Sequence, residues 1–246
     1  MNEIIAYAKG YGLGSGAKVF LQSAKAYCDK LTLLGLNLND ELIKYASLQG
    51  CEYIDTISSR FNVNESLSPY TLKVIYFYLY CKHISTATHV YLSDFTDVFF
   101  QRNVFDLIKN RQSYVTTESC SIIKCDTNRT WIQLCYNADV LQLIGTKRII
   151  NGGHIFGARE SVVELLEEMC VDMFEIISRI GNYPNIDQAC LNKTVYFDEI
   201  RYNILSSNEV LNMAHTPNIP TDVTPYVLHQ YDVNKPLTER LYKQYE

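Results

Sequence analysis

The chain has 246 residues, 47% of them hydrophobic and 20% charged, which is ordinary globular usage and too apolar for a disordered chain. Lys and Arg total 22 against 27 Asp and Glu, a net charge of -5. Generic nucleic-acid binding needs a basic face that displaces counterions, and this balance argues against it.

Short apolar strands alternate with longer helical patterns. Glu3 to Ala8 reads as a first strand, followed by a glycine-rich turn, Gly10 to Gly16, and a helix over 17–30. Leu31 to Leu36 is a second strand, and Asp40 is placed to cap a helix running to Gln49. Cys51 to Ile57 is a third strand. Ser68-Pro69 is a start signal, a capping serine before proline in the first turn, for a helix reaching about Cys81. His89 to Ser93 and Tyr114 to Thr117 are further strands, and 129–144 reads as helix. Ile149 to Gly157 is strand or turn. In Ser161 to Ile180, Val162, Val163, Leu165, Leu166, Met169, Met173, Phe174 and Ile177 recur at threes and fours, the clearest helical face in the chain. Asp187 opens another helix, Tyr226 to His229 is a late strand, and 236–245 closes helically. This alternation predicts an α/β sandwich with a mostly parallel sheet, whose ligands bind beyond the carboxyl ends of the strands. With no repeat and no Pro, Gly or Ser-rich linker, one domain over 1–246 is the expectation.

No cationic start precedes an apolar core near residue 1, and the greasiest run, Val74 to Tyr80, falls short of the ~20 apolar residues of a membrane span. The eight cysteines form no CxxC pair and sit mostly in apolar segments. They read as buried free thiols of a reducing, cytoplasmic compartment, with no transmembrane segment expected.

The most informative segment is Tyr91-Leu92-Ser93-Asp94-Phe95-Thr96-Asp97-Val98-Phe99-Phe100, two carboxylates directly after an apolar strand. Residues i and i+3 diverge in a straight strand but approach within ~7 Å in a turn. Asp94 and Asp97 can then meet one hard cation, Mg²⁺ or Mn²⁺, which bridges to a diphosphate. The plain alternative is two solvated turn carboxylates.

Three more segments follow. Asn151-Gly152-Gly153 lets backbone approach a ligand closely beside an amide that both donates and accepts. Asp187-Gln188-Ala189-Cys190-Leu191-Asn192 puts a carboxylate and an amide at a helix start, where Asp187 also fits a simple N-cap. His229-Gln230-Tyr231-Asp232-Val233-Asn234-Lys235-Pro236 sets a His and a Lys around a loop.

In this order the four segments resemble the retaining GT-A glycosyltransferases of family 8, the glycogenin and lipopolysaccharide galactosyltransferase type. That family carries D-x-D after an apolar strand, then N-x-G, D-Q-x-x-L-N and H-x5-K-P. Asn151 and Gly153 match the second element, Asp187, Gln188, Leu191 and Asn192 the third, and His229, Lys235 and Pro236 the fourth. The chain departs from the pattern at Ser93-Asp94-Phe95-Thr96-Asp97, at Asp232 where a glycine is expected, and at Leu237 where an aromatic is expected. The D-x-x-D-V-F-F-Q stretch also resembles bacterial and viral glycosyltransferases of the same fold, so a sister family with another donor sugar fits as well.

The resemblance implies a Rossmann-like nucleotide-diphospho-sugar transferase of α/β class, with a nucleotide-binding part over about 1–110 and a sugar and acceptor part over about 111–246. It implies sugar transfer from a nucleoside diphosphate, UDP by preference, to a hydroxyl of a glycan or other acceptor, with retention. Asp97 and His229 would ligate Mn²⁺ (or Mg²⁺), and Asp94 would share the metal or hold the ribose. An imidazole in the set favours Mn²⁺. Lys235 would contact the diphosphate, and Asn151, Gly152 and Gly153 would lie along the sugar. Asp187 and Gln188 would face the sugar or the reacting carbon. Either is the nucleophile, or retention proceeds on one face with the leaving phosphate taking the acceptor's proton. Lys9 and Tyr11 would meet the base, and Lys73 stands where the family often has a basic donor-binding residue. Two rivals stand beside this reading. Gly12-Leu13-Gly14-Ser15-Gly16-Ala17 fits the dinucleotide fingerprint G-x-G-x-x-A of an NAD(P)-dependent oxidoreductase, although the expected acidic residue after the second strand is missing. The altered acidic motif also permits a catalytically inactive sugar-nucleotide-binding module.

Overall fold

The structure, a computed structural model, describes residues 1–56, 61, 63–183, 185–215 and 224–246. It begins with three parallel strands, β1 (Asn2–Lys9), β2 (Lys30–Leu36) and β3 (Cys51–Asp55), separated by α1 (Ser15–Lys25) and α2 (Asp40–Leu48). After α3 (Pro69–His83), β4 (His89–Ser93) joins the other side of β1, again parallel. The chain then forms β5 (Val98–Phe100), β6 (Ser113–Ser121), α4 (Asp126–Cys135), α5 (Ala138–Ile144), β7 (Arg148–Ala158), α6 (Arg159–Ile180) and α7 (Ile186–Phe197). It ends with β8 (Tyr202–Leu205), β9 (Val210–Asn212), β10 (Val227–His229) and α8 (Lys235–Gln244).

The central sheet has seven strands in the order β3-β2-β1-β4-β7-β6-β8. Only β7 runs against its neighbours, so the sheet is mostly parallel, as the alternating pattern predicts. The interior strands are nearly continuously buried: Ile4, Ile5, Ala6, Leu31, Leu33, Leu34, Val90, Tyr91 and Leu92 all lie in the two core clusters of the sheet. The polar group that enters at the amino end of β1 is closed off. Glu3 is fully buried and accepts from Tyr80 (2.6 Å) and Thr32 (2.7 Å). The opposite, carboxyl end of the sheet is open and carries the site.

Local signals explain most boundaries. Ser68 Oγ accepts from the Thr71 N–H at 3.1 Å, and Pro69 starts α3 as expected. The cap of α2 is Asn39, whose Oδ1 accepts from Leu42 N–H at 2.8 Å; Asp40, predicted as the cap, is one residue inside. The helix predicted over 129–144 is two, α4 and α5, broken where the Asn137 side chain accepts from Val140 N–H and starts a new one. Along α6, Val162, Leu165, Leu166, Met169 and Met173 are buried as expected, but Phe174 is exposed. Of the eight free cysteines five are buried, while Cys28, Cys120 and Cys125 are only half-buried. The predicted end of the third strand, Ile57, lies outside the described residues.

A second, three-stranded sheet, β5-β10-β9, was not legible as a unit. β10 pairs antiparallel with β5, which brings His229 opposite Val98, next to Asp97. Among the described residues no helix is long and apolar enough to cross a membrane.

Candidate functional site

The acidic turn is the centre of the site. β4 ends at Ser93, and the Asp94 N–H donates to Gly153 O at 3.0 Å, so the turn is anchored to β7 as it leaves the sheet. Thr96 then takes a left-handed conformation (φ +75°), uncommon for a β-branched residue. Its carbonyl accepts from Tyr231 OH at 3.0 Å and lies against α1 at Gly16. A Cβ on Gly16 would come 2.4 Å from that carbonyl oxygen, so glycine is required there by the close approach of helix to turn. The glycine run therefore has a packing role independent of any dinucleotide. Gln230 (φ +55°) and Asn185 (φ +63°) are also left-handed, and they border the same site. Strained backbone of this kind concentrates where side chains must be aimed.

His229 closes the turn from the second sheet. Its Nε2 is 3.4 Å from Asp94 Oδ2 and 3.5 Å from Asp97 Oδ2, and Gln230 N–H donates to Asp97 O at 2.8 Å. Burial opposes charge on this imidazole, but Asp97 and Asp94 outweigh it and push its pKa up to about 10. Asp97 Oδ1 and both His229 ring nitrogens are buried without a hydrogen-bond partner among the described residues. Beneath His229 lies His154, ring centroids 4.5 Å apart, edge to face. Its Nδ1 meets Tyr91 OH at 2.8 Å, and burial holds it well below the ordinary histidine range, hence neutral.

On the other side stands Lys73, from the buried face of α3. Its ammonium is 2.9 Å from Asp94 Oδ1, 3.3 Å from Asp187 Oδ2 and 3.2 Å from Gly152 O. Burial opposes ionisation of Asp94, but the charges of Lys73 and His229 hold it well below the usual carboxylate range. Asp187 lies inside the first turn of α7, with Asn185 at the N-cap position, so it is an ion-pair partner rather than the cap. Gln188 Oε1 accepts from Gly152 N–H (2.9 Å), and its Nε2 donates to Asn128 Oδ1 (2.8 Å). Asn192 clasps β7 by accepting from Ile150 N–H and donating to Ile150 O, both at 2.8 Å. Asn151 is turned inward too, accepting from Gly153 N–H (2.8 Å) and donating to Glu118 (2.9 Å). A Cβ on Gly153 would meet His229, Asp94 and Asn151 at 2.6–2.9 Å, so their convergence depends on that glycine.

Two cavities open on this cluster. One of about 520 Å³ is lined by Tyr7, Lys9, Tyr11, Lys73, Asp94, Asp97 and Asp232. The other, about 400 Å³, is lined by Lys73, Asp94, Glu118, Gly152, Gly153, Asp187, Gln188 and His229. Tyr70, Lys73, Asp94 and Gln230 belong to both and form the wall between them.

The structure thus brings together Lys9, Tyr11, Lys73, Asp94, Asp97, Asn151, Gly152, Gly153, Asp187, Gln188 and His229. Lys235 is exposed in the first turn of α8, outside the lining of either cavity; Asp232 lines the first in its place. Glu118, Tyr70 and His215 escaped the sequence reading. Glu118 had a signal, as the first acidic residue after an apolar strand. His215, 3.2 Å from Glu118, had none.

As for a metal, the donor set of two carboxylates and an imidazole, with buried unpartnered atoms on Asp97 and His229, suits Mn²⁺ or Mg²⁺ by chemistry. The spacing is that of an ion-paired triad, and among the described residues no group of three or more His, Cys, Asp or Glu has metal-holding geometry.

No family model matches the sequence, and no curated protein matches it. Among solved structures, the chain is similar to the galactosyltransferase LgtC in complex with donor and acceptor sugar analogues. The TM-score is 0.60 at 12% identity, over 99% of this chain and 96% of that one. At that identity the likeness is one of fold: the chain has a GT-A glycosyltransferase fold.

Proposed function

We propose that this chain is a glycosyltransferase that moves a sugar from a nucleoside diphosphate, UDP by preference, to a hydroxyl of a glycan or other acceptor, with retention. The observation that carries the reading is the wall of Lys73 and Asp94 between two cavities at the carboxyl end of the sheet. A reaction joining two substrates needs two adjoining pockets that meet at charged groups, and open α/β sheets bind ligands at this end. In this reading the nucleotide lies in the first cavity, with Tyr11 against the base and Lys9 beside it. The sugar passes the Lys73–Asp94 wall toward Gly152 and Gly153. The division of labour is a nucleotide-binding part over about 1–110 and a sugar and acceptor part over about 111–246, in one domain.

Asp94, Asp97 and His229 would hold Mn²⁺ or Mg²⁺, and the ion would offset charge on the departing diphosphate. Lys73 keeps Asp94 ionised, pairs with Asp187 at 3.3 Å and fixes both relative to Gly152 O. Asp187, a carboxylate of the second cavity paired with Lys73, is the catalytic candidate facing the sugar. Gln188 acts by holding the Gly152 N–H, so its oxygen is already committed. Lys235 serves the diphosphate only if the loop over 230–234 carries it inward when donor binds. The free cysteines accord with a cytoplasmic location.

The test is thermal stabilisation by nucleotides with Mn²⁺, with Mg²⁺ and with EDTA, followed by donor hydrolysis across a panel of nucleotide sugars. Stabilisation by UDP that needs the divalent ion, with none by NAD(P), is the expected result. Stabilisation by NAD(P) would restore the oxidoreductase, and binding of UDP-sugars without any turnover would leave a binding module.

A further inference from the structure

A third opening adjoins the second cavity, a groove of about 590 Å³ that shares His215 with it. Its origin is an irregularity between β6 and β7. Thr117 is paired with Ile150, and the next pair is Ser121 with Arg148, so Glu118, Ser119 and Cys120 stand opposite Ile149 alone. Bulges of this kind re-aim side chains next to active sites. Here the bulge sends Glu118 to the wall of the second cavity and Ser119 and Ser121 to the groove. Arg148 faces Ser121 across the register. Lys124 and Thr146 are brought to the same end, because Ile123 N–H donates to Gly145 O at 2.8 Å.

The resulting lining is chemically one-sided. It has two permanent cations, Lys124 and Arg148, the hydroxyls of Ser121 and Thr146, and His215, whose carbonyl accepts from the Ser119 hydroxyl at 3.2 Å. Among the described residues no Asp or Glu lines it, and no Phe, Tyr or Trp offers a platform for a sugar face. Lys124 and Arg148 make no ion pair with another described residue, whereas neighbouring Lys147 is paired with Glu199 at 2.6 Å. In a chain of net charge -5, an anion approaching the site needs such a local cationic patch. Guanidinium, ammonium and hydroxyl donors together match the oxygens of a phosphate group.

We propose that this groove binds a phosphate monoester carried by the acceptor, so that the acceptor is a phosphorylated molecule whose hydroxyl enters the adjoining second cavity. The acceptor role rests on the glycosyltransferase reading; the anion site does not.

The experiment is amide NMR of the full chain titrated with methyl phosphate, and in parallel with acetate, before and after saturation with UDP and Mg²⁺. Methyl phosphate should shift the amides of Ser121, Lys124, Thr146 and Arg148, in either state. Lys124→Gln with Arg148→Gln should weaken that binding at least tenfold, and Lys124→Gln alone should weaken it severalfold should the double variant not fold. No shift at these amides, a shift unchanged in the variants, or equal binding of acetate overturns the phosphate site. Phosphate shifts in the groove with no UDP–Mg²⁺ shifts at Tyr11, Asp94 or Asp97 overturn the acceptor role and the glycosyltransferase reading, and leave only an anion site.

Discussion

Lys73 Nζ lies 2.9 Å from Asp94 Oδ1, and that ion pair is the partition between the two cavities. The same ammonium also neutralises Asp187, whose side chain is almost entirely buried. Lys73→Met removes one cation and leaves two carboxylates beside an apolar replacement. Unpairing a buried charge costs about 3 kcal/mol or more. The urea midpoint should fall accordingly, and adding Asp187→Asn should recover part of the loss. A loss under about 1 kcal/mol would mean that the pair behaves as a solvated surface bridge.

The pH dependence follows from Asp94. Its folded-state pKa is depressed, mainly because Lys73 and His229 outweigh the effect of burial, while in the unfolded chain it titrates near the ordinary value of ~4. A depressed acid contributes stability that is complete above the unfolded value and is lost as pH falls through ~4 toward the folded value. The stability difference between wild type and Asp94→Asn should therefore shrink steadily from pH 5 to pH 3. Urea midpoints at pH 7, 5, 4 and 3 check this, and a difference constant over that range would contradict it.

Gly14 and Gly16, two of the four glycines of the first turn, should behave differently. Among the described residues a Cβ on Gly14 meets nothing within 4 Å, whereas one on Gly16 meets the Thr96 carbonyl at 2.4 Å. Gly14→Ala should leave stability and nucleotide binding close to wild type. Gly16→Ala must displace α1 or the acidic turn, with a cost of about 1–3 kcal/mol typical of overpacking and weaker divalent-dependent UDP binding. A dinucleotide fingerprint makes the opposite demand, since Gly14 is then the residue beside the pyrophosphate. Calorimetric titration with UDP and with NAD separates the two.

The thiols give an independent check on packing. Burial pushes Cys51, Cys135 and Cys170 up to about 12, and Cys28 up to about 11. At pH 8 the folded protein should react with Ellman's reagent mainly at Cys120 and Cys125, and all eight should react in denaturant. Fast native reaction of Cys135 or Cys170 would mean that α4, α6 and α7 pack more loosely than described.

Much of this site is legible in sequence, for local reasons. An apolar strand ending in Ser93-Asp94 announces a carboxylate at the end of a sheet, and Ser68-Pro69 announces the helix that carries Lys73. The smaller sheet is not legible in this way. β5 and β9 are three residues each and have no periodicity to read, and they become strands only because β10 lies between them. Residue type and the family motifs assign Asn151 and Gln188 to ligand. Their amides are engaged with Gly153, Glu118, Gly152 and Asn128, which spacing along the chain does not reveal.

The sequence by itself determined the α/β alternation, the acidic turn and the residues that resemble a glycosyltransferase site, because strand burial, capping and turn chemistry act over a few neighbouring residues. Only the tertiary structure decided that Lys73 stands between Asp94 and Asp187, that Gly16 serves the Thr96 turn, and that Glu118 and His215 line the second cavity while Lys235 lines neither. Those outcomes depend on the register of β4, β6, β7 and β10 and on how α1, α3, α7 and α8 pack on the sheets, and both are set by long-range contacts rather than by any local pattern.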